Sequence, residues 1–317
     1  MVATILSEIS VACNDNSCKG LKCGLLDIEL RWEYNKIITT QRSVLMSKIT
    51  SVLIGTAVVA GAAAVFALAP GKADKAKKEP FLGRYYAHRG LHNTDGSAPE
   101  NSLPAFRLAA ERGYGIELDV HITKDDQIIV FHDDDLLRMC GVDAKTEDFT
   151  YDELLQLRLL GTEHHIPLFT EVLEVYAGAG PMVLELKTGP RKFELCEKTY
   201  ALLKGYVGDV CIESFDPRIV GWWKKNAPEY LRGQLAQPAE FYPDQPKPLA
   251  FLLAHSLTNF IGRPHFIAYK LGKKPLGTRI AELMGAMKFS WTSKSLTDKS
   301  DQDGIIFEQY TPDVYIE

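Results

Sequence analysis

The sequence predicts a parallel (β/α)8 barrel over residues 81–317, with an antiparallel hairpin after the second strand and a single hydrophobic helix before the barrel. Short apolar runs alternate with amphipathic segments from residue 81 onward, which is typical of a parallel sheet with crossover helices. The count of parallel strands is eight, and the 237 residues from Phe81 to Glu317 are close to the ~250 of such a barrel. Before them, residues 49–69 form an uncharged stretch of 21 residues, and about 20 cross a bilayer as a helix.

Nine short apolar runs are predicted as strands. They are residues 85–88, 116–120, 128–132, 182–186, 210–213, 233–236, 266–269, 288–291 and 304–307. Helical patterns lie between most of them, at residues 103–112, 151–157, 170–177, 196–203, 217–225 and 277–287. The alternation implies that successive strands run in the same direction.

One connection breaks this alternation. Only residues 121–127 separate the second run from the third, too few for the crossover of a dozen or more residues that parallel neighbours need. The third run is therefore predicted to fold back as a hairpin arm. A turn centred on Asp125 and Asp126 places Asp119 opposite His132 with their side chains on one face, an alignment that a one-residue slip would undo.

The segment 49–69 is predicted to be a transmembrane or signal-anchor helix. A cleaved signal peptide is the alternative, because residues 67–69 have the small-x-small form of a cleavage site, but the length and Pro70 directly after the cut favour an anchor. Residues 1–45 form a leader without a sustained period. Since the run from Met46 looks like a natural beginning, we hypothesise that this leader is dispensable or not translated.

Residues 70–80 form a Lys-rich linker. If the chain begins at Met46, the positive-inside rule favours a single-pass membrane protein with its C-terminal domain in the cytoplasm. With the full leader, Lys36, Arg42 and Lys48 weaken that bias, so the extracellular side stays open. The scattered Cys140, Cys196 and Cys211 favour a reducing compartment.

The charge balance excludes one class of partner. The net charge is −5, with 46% hydrophobic and 24% charged residues, and a broad nucleic-acid footprint normally requires a basic excess. A single phosphate-binding site needs only a few local cations. No nucleic-acid partner is therefore expected.

Ionisable residues gather where the predicted strands end, and in barrels of this type the active site lies at the C-terminal ends of the strands. The first strand ends at His88 and Arg89. On the second, Glu117 and Asp119 point the same way, because side chains alternate along a strand. Two buried carboxylates this close require a cation, and all-oxygen ligands suit Mg²⁺ or Ca²⁺.

Glu185 and Lys187 repeat this spacing at the end of a later strand. Three carboxylates, two histidines, an arginine and a lysine match metal-assisted displacement at phosphorus, which uses acidic metal ligands, cationic clamps and imidazoles as acid and base. Each residue also has a structural explanation, such as an ordinary ion pair between Glu185 and Lys187. Their coincidence at the strand ends favours a catalytic site.

Several motifs occur in order from residue 85 to residue 313. They are AHRG, PENS, ELDVHITKDD, VFHDDDLLR, IPLFTEVLE, LELK, ESFDP and DGIIFEQYTPD. In this order they resemble the glycerophosphodiester phosphodiesterase family, which has a phosphatidylinositol-phospholipase-like barrel fold. The resemblance implies a phosphoric diester hydrolase that converts glycerophosphodiesters to sn-glycerol 3-phosphate and an alcohol. Phospholipase or lysophospholipase D-type activity on membrane lipids is an alternative, and a catalytically silent, membrane-tethered binding barrel is another.

The resemblance also implies roles for individual residues. These are His88 and His132 as acid and base, Glu117, Asp119 and Glu185 as ligands of Ca²⁺ or Mg²⁺, Arg89 and Lys187 as phosphate-binding residues, and Glu100 and Asn101 as supporting residues. Which histidine is the acid, and whether the nucleophile is water or the glycerol 2-hydroxyl, stays open. So do the preferred head group and the oligomeric state.

Overall fold

A computed structural model describes residues 22–298 and 301–316 and divides the chain into two compact units, residues 1–63 and 64–317. The first unit contains most of helix α1 (Lys22–Leu68). Residues 31–68 of α1 contain an 18-residue window with a mean hydropathy of 2.2, long and apolar enough to cross a membrane, a property that signal sequences share. Part of the predicted leader, residues 22–45, is thus helical, and residues 1–21 lie outside the described residues.

The second unit is a closed parallel barrel, which confirms the predicted fold class. Its strands are β1 (Arg84–His88), β2 (Gly115–Ile122), β3 (Ile128–Val130), β4 (Met182–Leu186), β5 (Val210–Ser214), β6 (Leu231–Ala236), β7 (Phe266–Lys270), β8 (Met287–Ser293) and β9 (Gly304–Phe307). Eight of them follow the order β1-β9-β8-β7-β6-β5-β4-β2 and close through the parallel β1–β2 pair. The remaining strand, β3, lies antiparallel on β2.

Helices connect these strands. They are α2 (Lys75–Lys78), α3 (Leu103–Arg112), α4 (Leu137–Cys140), α5 (Tyr151–Leu154), α6 (Phe169–Tyr176), α7 (Lys192–Leu203), α8 (Pro217–Asn226), α9 (Lys247–Ala254), α10 (Asn259–Gly262) and α11 (Leu276–Leu283). The prediction that the last helix continues to residue 287 is wrong. Gly285 takes a left-handed φ of 106°, which ends the helix and lets Met287 begin β8.

Alternate residues of each strand point into the barrel. Those in its lower part, together with Phe81 from the chain before β1, form a lumen cluster of Phe81, Tyr86, Val183, Cys211, Leu231, Leu235, Phe266, Ala268, Met287, Phe289 and Ile306. Ala73 and Leu82 pack against this cluster, and the hydroxyl of Tyr86 donates to the Phe81 carbonyl at 2.8 Å. Ala73, Phe81 and Leu82 therefore form a barrel floor, so the Lys-rich linker ends as part of the core.

The chain before the barrel floor is also attached to the second unit. The Gly71 N–H donates to the Pro264 carbonyl at 2.9 Å. The Arg263 guanidinium donates to the carbonyls of Phe66 (2.6 Å) and Ala69 (2.9 Å). The bond to Phe66 satisfies one of the carbonyl groups that the end of α1 leaves without an intrahelical partner.

The hairpin forms, but in a different register from the predicted one. Val120 pairs with Val130 and Ile122 with Ile128, so the predicted pairing of Asp119 with His132 is wrong by one residue. The Asp119 carbonyl instead accepts from the Phe131 N–H at 3.0 Å. Five residues lie between the strands, and the Thr123 N–H donates to the Gln127 carbonyl at 2.9 Å, so the pairing is centred on Asp125. Asp126 takes a left-handed φ of 72° in this turn.

Candidate active site

The predicted site residues converge at the C-terminal end of the barrel. His88 ends β1, Glu117 and Asp119 lie on β2, and Glu185 lies on β4. All four side chains are on the lumen-facing side of their strands, in step with Tyr86 and Val183 of the lumen cluster below. We call the ionisable residues above the lumen cluster the upper layer.

Three carboxylates form the centre of the upper layer. Glu117, Asp119 and Glu185 are buried, and each offers an oxygen within 4.8 Å of the others. Burial, together with the charges of Asp119, Glu213 and Glu185, raises the pKa of Glu117 well above its usual range. A cluster of hard oxygen donors with this much negative charge fits Ca²⁺ or Mg²⁺.

Lys187 and Arg89 offset part of this charge. The Lys187 ammonium donates to Asp119 Oδ1 at 3.0 Å and to Glu185 Oε1 at 3.1 Å, and Arg89 Nε lies 3.7 Å from Asp119 Oδ2. Burial alone would raise the pKa of Asp119, but Lys187, His132 and Arg89 outweigh it and hold the pKa well below its usual range. Asn101 Nδ2 also donates to Asp119 Oδ2, at 2.9 Å.

Glu100 supports the cations of the site and lies outside the group of three carboxylates. Its Oε1 accepts from Arg89 NH1 at 2.6 Å, and its two oxygens accept from Arg138 at 2.7 and 2.9 Å. Arg89 and Asn101 both take a left-handed φ of 54°, and the Asn101 N–H donates to the Arg89 carbonyl at 2.8 Å. The PENS segment is thus folded back onto the end of β1.

His88 is held from both sides. Its Nδ1 lies 2.7 Å from Glu308 Oε2, and its Nε2 lies 3.9 Å from Glu117 Oε2. Burial lowers the pKa of His88, and bonds from His88 and His92 lower that of Glu308. Sequence reasoning gave Glu308 no role, although its position directly after the last strand was an available signal.

His132 has a matching arrangement. Its Nδ1 lies 2.6 Å from Asp133 Oδ1, and Arg138 Nε donates to Asp133 Oδ2 at 2.7 Å. A third of the ring, 33%, is exposed. With Nδ1 bonded to a carboxylate, each histidine keeps Nε2 available for proton transfer. Sequence reasoning gave Asp133 no role either, because a run of three aspartates is usually solvated surface.

One further acid faces the three carboxylates. Glu213 on β5 is in register with Glu185 and is 1% exposed, and its Oε2 has no hydrogen-bond partner in the described part of the chain. Burial, with the charges of Glu185 and Asp119, raises its pKa well above its usual range. Glu213 is the first residue of the ESFDP motif, but sequence reasoning gave it no role.

Curated proteins with related sequences include enzymes from animals and bacteria. The chain is 34% identical to a lysophospholipase D of Rattus norvegicus over 43% of this chain and 46% of that protein. It is also 34% identical to a glycerophosphodiester phosphodiesterase of Caldanaerobacter subterraneus, over 48% of this chain and 65% of that protein. The match thus spans about half the length of the mammalian relative.

Solved structures share the barrel. A phosphodiesterase of Oleispira antarctica in complex with the product sn-glycerol-3-phosphate aligns with a TM-score of 0.59 at 22% identity, over 72% of this chain and 94% of that one. A glycerophosphodiester phosphodiesterase of Thermotoga maritima aligns at 0.54 and 25%, over 70% and 93% of the two chains. The model of the glycerophosphoryl diester phosphodiesterase family matches residues 88–294, and this protein is a member of that family.

Proposed function

We propose that this protein hydrolyses glycerophosphodiesters to sn-glycerol 3-phosphate and an alcohol, with help from a divalent metal. The observation that carries the proposal is the pair of histidines, each bonded at Nδ1 to a carboxylate, beside the buried cluster of three acids and two cations. The Oleispira antarctica neighbour, whose complex contains sn-glycerol-3-phosphate, supports the same product.

In this mechanism the side chains have separate tasks. A cation bound by Glu117, Asp119 and Glu185 would offset negative charge on the phosphate. Arg89 and Lys187 bind non-bridging phosphate oxygens, which fixes the phosphorus relative to the two histidines.

The two histidines move protons. One Nε2 takes the proton of the attacking group, which is either water or the glycerol 2-hydroxyl. The other Nε2 donates a proton to the leaving alkoxide oxygen. Glu308 and Asp133 accept a hydrogen bond from Nδ1–H of His88 and His132, so they hold each ring in the tautomer that the reaction requires.

A lysophospholipase D activity is the second candidate, because several mammalian relatives carry that name. It breaks the same kind of bond in a diester whose glycerol keeps an acyl chain. Turnover of water-soluble glycerophosphoethanolamine, compared with that of lysophosphatidylethanolamine in vesicles, separates the two. A silent binding barrel would hydrolyse neither.

Two substitutions test the assignment. We expect His132→Ala and Glu117→Ala each to abolish choline release from glycerophosphocholine, while His255→Ala, a control histidine on the outer surface bonded to the Phe251 carbonyl, retains it. EDTA should stop the wild-type reaction, and Ca²⁺ or Mg²⁺ should restore it. Near-normal turnover in both site variants would contradict the proposal.

We also propose that residues 49–69 anchor the protein in a membrane, with the barrel on the cytoplasmic side. The length and hydropathy of the apolar helix support the anchor. The lysines of the linker that follows it support the cytoplasmic side. Alkaline extraction should leave the protein in the membrane fraction, and protease added to sealed cells should not cut the barrel. N-terminal sequencing of the native protein tests the hypothesis that residues 1–45 are dispensable or not translated. An intact N-terminus at Met1 would contradict it.

A further inference from the structure

The mouth of the barrel has a second half, formed by the ends of β5 to β8, that carries aromatic residues beyond the level of Glu213. Phe215 directly follows β5, Lys270 ends β7, and Trp291 lies opposite Lys270 on β8. These three residues are in step with Glu213, Ala268 and Phe289, so they lie on the lumen-facing side of their strands. Phe215 and Trp291 pack against the lumen cluster from above.

Lys270 lies among the faces of these aromatic rings. Its Nζ is 4.6 Å from the ring centre of Phe241 and 5.1 Å from that of Trp291. The Trp291 ring is fixed by its Nε1–H, which donates to the Ala268 carbonyl at 3.0 Å, and by an edge-to-face contact with Phe215 at 5.6 Å. An ammonium over such rings is favourable by cation–π attraction.

Lys270 also differs from three nearby lysines of this half of the barrel, which are paired with carboxylates. Lys274 pairs with Glu282, Lys288 with Asp301 at 2.6 Å, and Lys294 with Glu308 at 2.7 Å. In the described part of the chain, Lys270 has no carboxylate within ion-pair distance. Among the described residues, its ammonium group is therefore held by aromatic rings and not by a carboxylate.

We propose that Lys270, with Phe241 and Trp291, forms a head-group subsite that selects diesters whose leaving alcohol carries an anionic group and disfavours quaternary ammonium head groups. Aromatic faces are what attract a choline-type cation, and here they already hold an ammonium. A second cation at this place would be repelled, whereas a phosphate or carboxylate would gain an ion pair. Glycerol is uncharged, so charge selection acts on the head group alone.

This inference rests on the proposed function, but it concerns only the head group. An acyl chain on the glycerol would leave the alcohol on the other side of the phosphate unchanged. The selection by charge therefore applies equally to glycerophosphodiesters and to lysophospholipids.

The test compares kcat/KM for three soluble diesters with different head-group charge. They are glycerophosphoinositol 4-phosphate, glycerophosphoinositol and glycerophosphocholine. The wild-type protein should prefer the first over the third, and Lys270→Glu should shift the ratio toward choline by about tenfold or more, the size expected of one charge pair near the surface. Lys270→Arg should keep the wild-type preference.

Lys204→Glu is the matched control. Lys204 also lies over an aromatic ring, that of Tyr200 at 4.5 Å, but on the exposed end of α7. The same charge change there should leave the substrate ratio unaltered. A ratio that is equal in wild type and Lys270→Glu would overturn the proposal.

A binding measurement separates this proposal from the proposed function. In calorimetric titrations, wild-type protein should bind inositol 4-phosphate more tightly than choline, and Lys270→Glu should lose that difference. If no diester is hydrolysed while this difference is present, the proposed function fails and the subsite stands. If hydrolysis occurs and neither measurement responds to Lys270→Glu, the subsite fails and the function stands.

Discussion

The lumen cluster and the upper layer lie on the same strands, yet their physical chemistry is opposite. On β1, Tyr86 belongs to the cluster and His88 to the upper layer, only two residues or about 7 Å apart. Below, apolar rings are closely packed and polar atoms have partners. Above, burial raises the pKa values of Glu117, Glu185 and Glu213, because their negative charges are incompletely compensated. The lower half therefore stabilises the barrel, whereas the upper half holds the charged residues that we propose bind a cation and a phosphate.

Neutralising one acid of the upper layer should have the largest effect, because it should lower activity while it raises the stability of the metal-free protein. We expect Glu117→Gln to lower turnover by about 10³-fold, because a proposed metal ligand is lost. Removing a destabilising buried charge should at the same time raise the stability of the metal-free protein by about 1 kcal/mol, or a few degrees in Tm. Enzyme assay and thermal unfolding in EDTA measure the two effects.

Glu197→Gln on the exposed face of α7 is the control and should change neither quantity. A metal-free Glu117→Gln protein with a lower Tm than wild type would contradict the view that Glu117 is destabilising in the absence of metal.

A cavity in the lumen cluster should have the opposite outcome. Phe289 is fully buried, and its ring packs on those of Phe266 at 4.7 Å and Tyr86 at 5.5 Å. We expect Phe289→Ala to lower the free energy of unfolding by about 3–5 kcal/mol in urea denaturation. Phe193→Ala, at a half-exposed ring, should change it by less than about 0.5 kcal/mol. Equal losses in the two variants would argue against a packed lumen.

Overfilling the cluster gives a smaller effect. Gly233 lies on β6, and a Cβ there would overlap the ring of Phe266. We expect Gly233→Ala to destabilise the protein by about 1–3 kcal/mol in urea denaturation. Gly205→Ala, where an added Cβ has open space, should be neutral or slightly stabilising. A neutral Gly233→Ala would mean that the ring moves aside without loss.

The smallest expected effect concerns the edge of the upper layer. Arg138 joins Glu100 to Asp133, and its guanidinium is about half exposed. We expect Arg138→Gln to lower kcat/KM about tenfold through misplacement of Arg89 and His132, with less than about 1 kcal/mol change in stability. Arg138→Lys should recover part of the loss. Unchanged kinetics in Arg138→Gln would remove it from the site.

Local patterns were sufficient to predict the strands, because each strand has a short apolar run and alternating side chains. They also predicted that Glu117 and Asp119 share a face, which the structure confirms. Helix α9 was not predicted, since apolar residues surround most of its circumference: Leu249, Phe251 and Leu252 are exposed while Leu253 is buried. Without a polar face, the helical period is not visible in the sequence.

Contacts between distant residues could not be predicted. The bond between His88 and Glu308 joins residues 220 positions apart, and only closure of the barrel brings them together. The hairpin register depends on the left-handed conformation of Asp126, which the sequence leaves undetermined because aspartate adopts several turn types. His132 lies in the loop after β3, so the course of this loop, and not pairing within the hairpin, places it in the site.

The barrel floor determines where this protein can be shortened. A cut after Ala69, at the small-x-small sequence, would leave the bond from Gly71 to Pro264 and the packing of Ala73, Phe81 and Leu82 in place. The contacts of the end of α1 would be lost: the bonds from Arg263 to the Phe66 and Ala69 carbonyls would change, as would the bond from Asn259 to the Leu68 carbonyl and the packing of Phe66 on Phe260. A cut after Phe81 would instead open the lower end of the core to water. A form shed from its hydrophobic segment after Ala69 would therefore keep the floor that closes the lower end of the barrel.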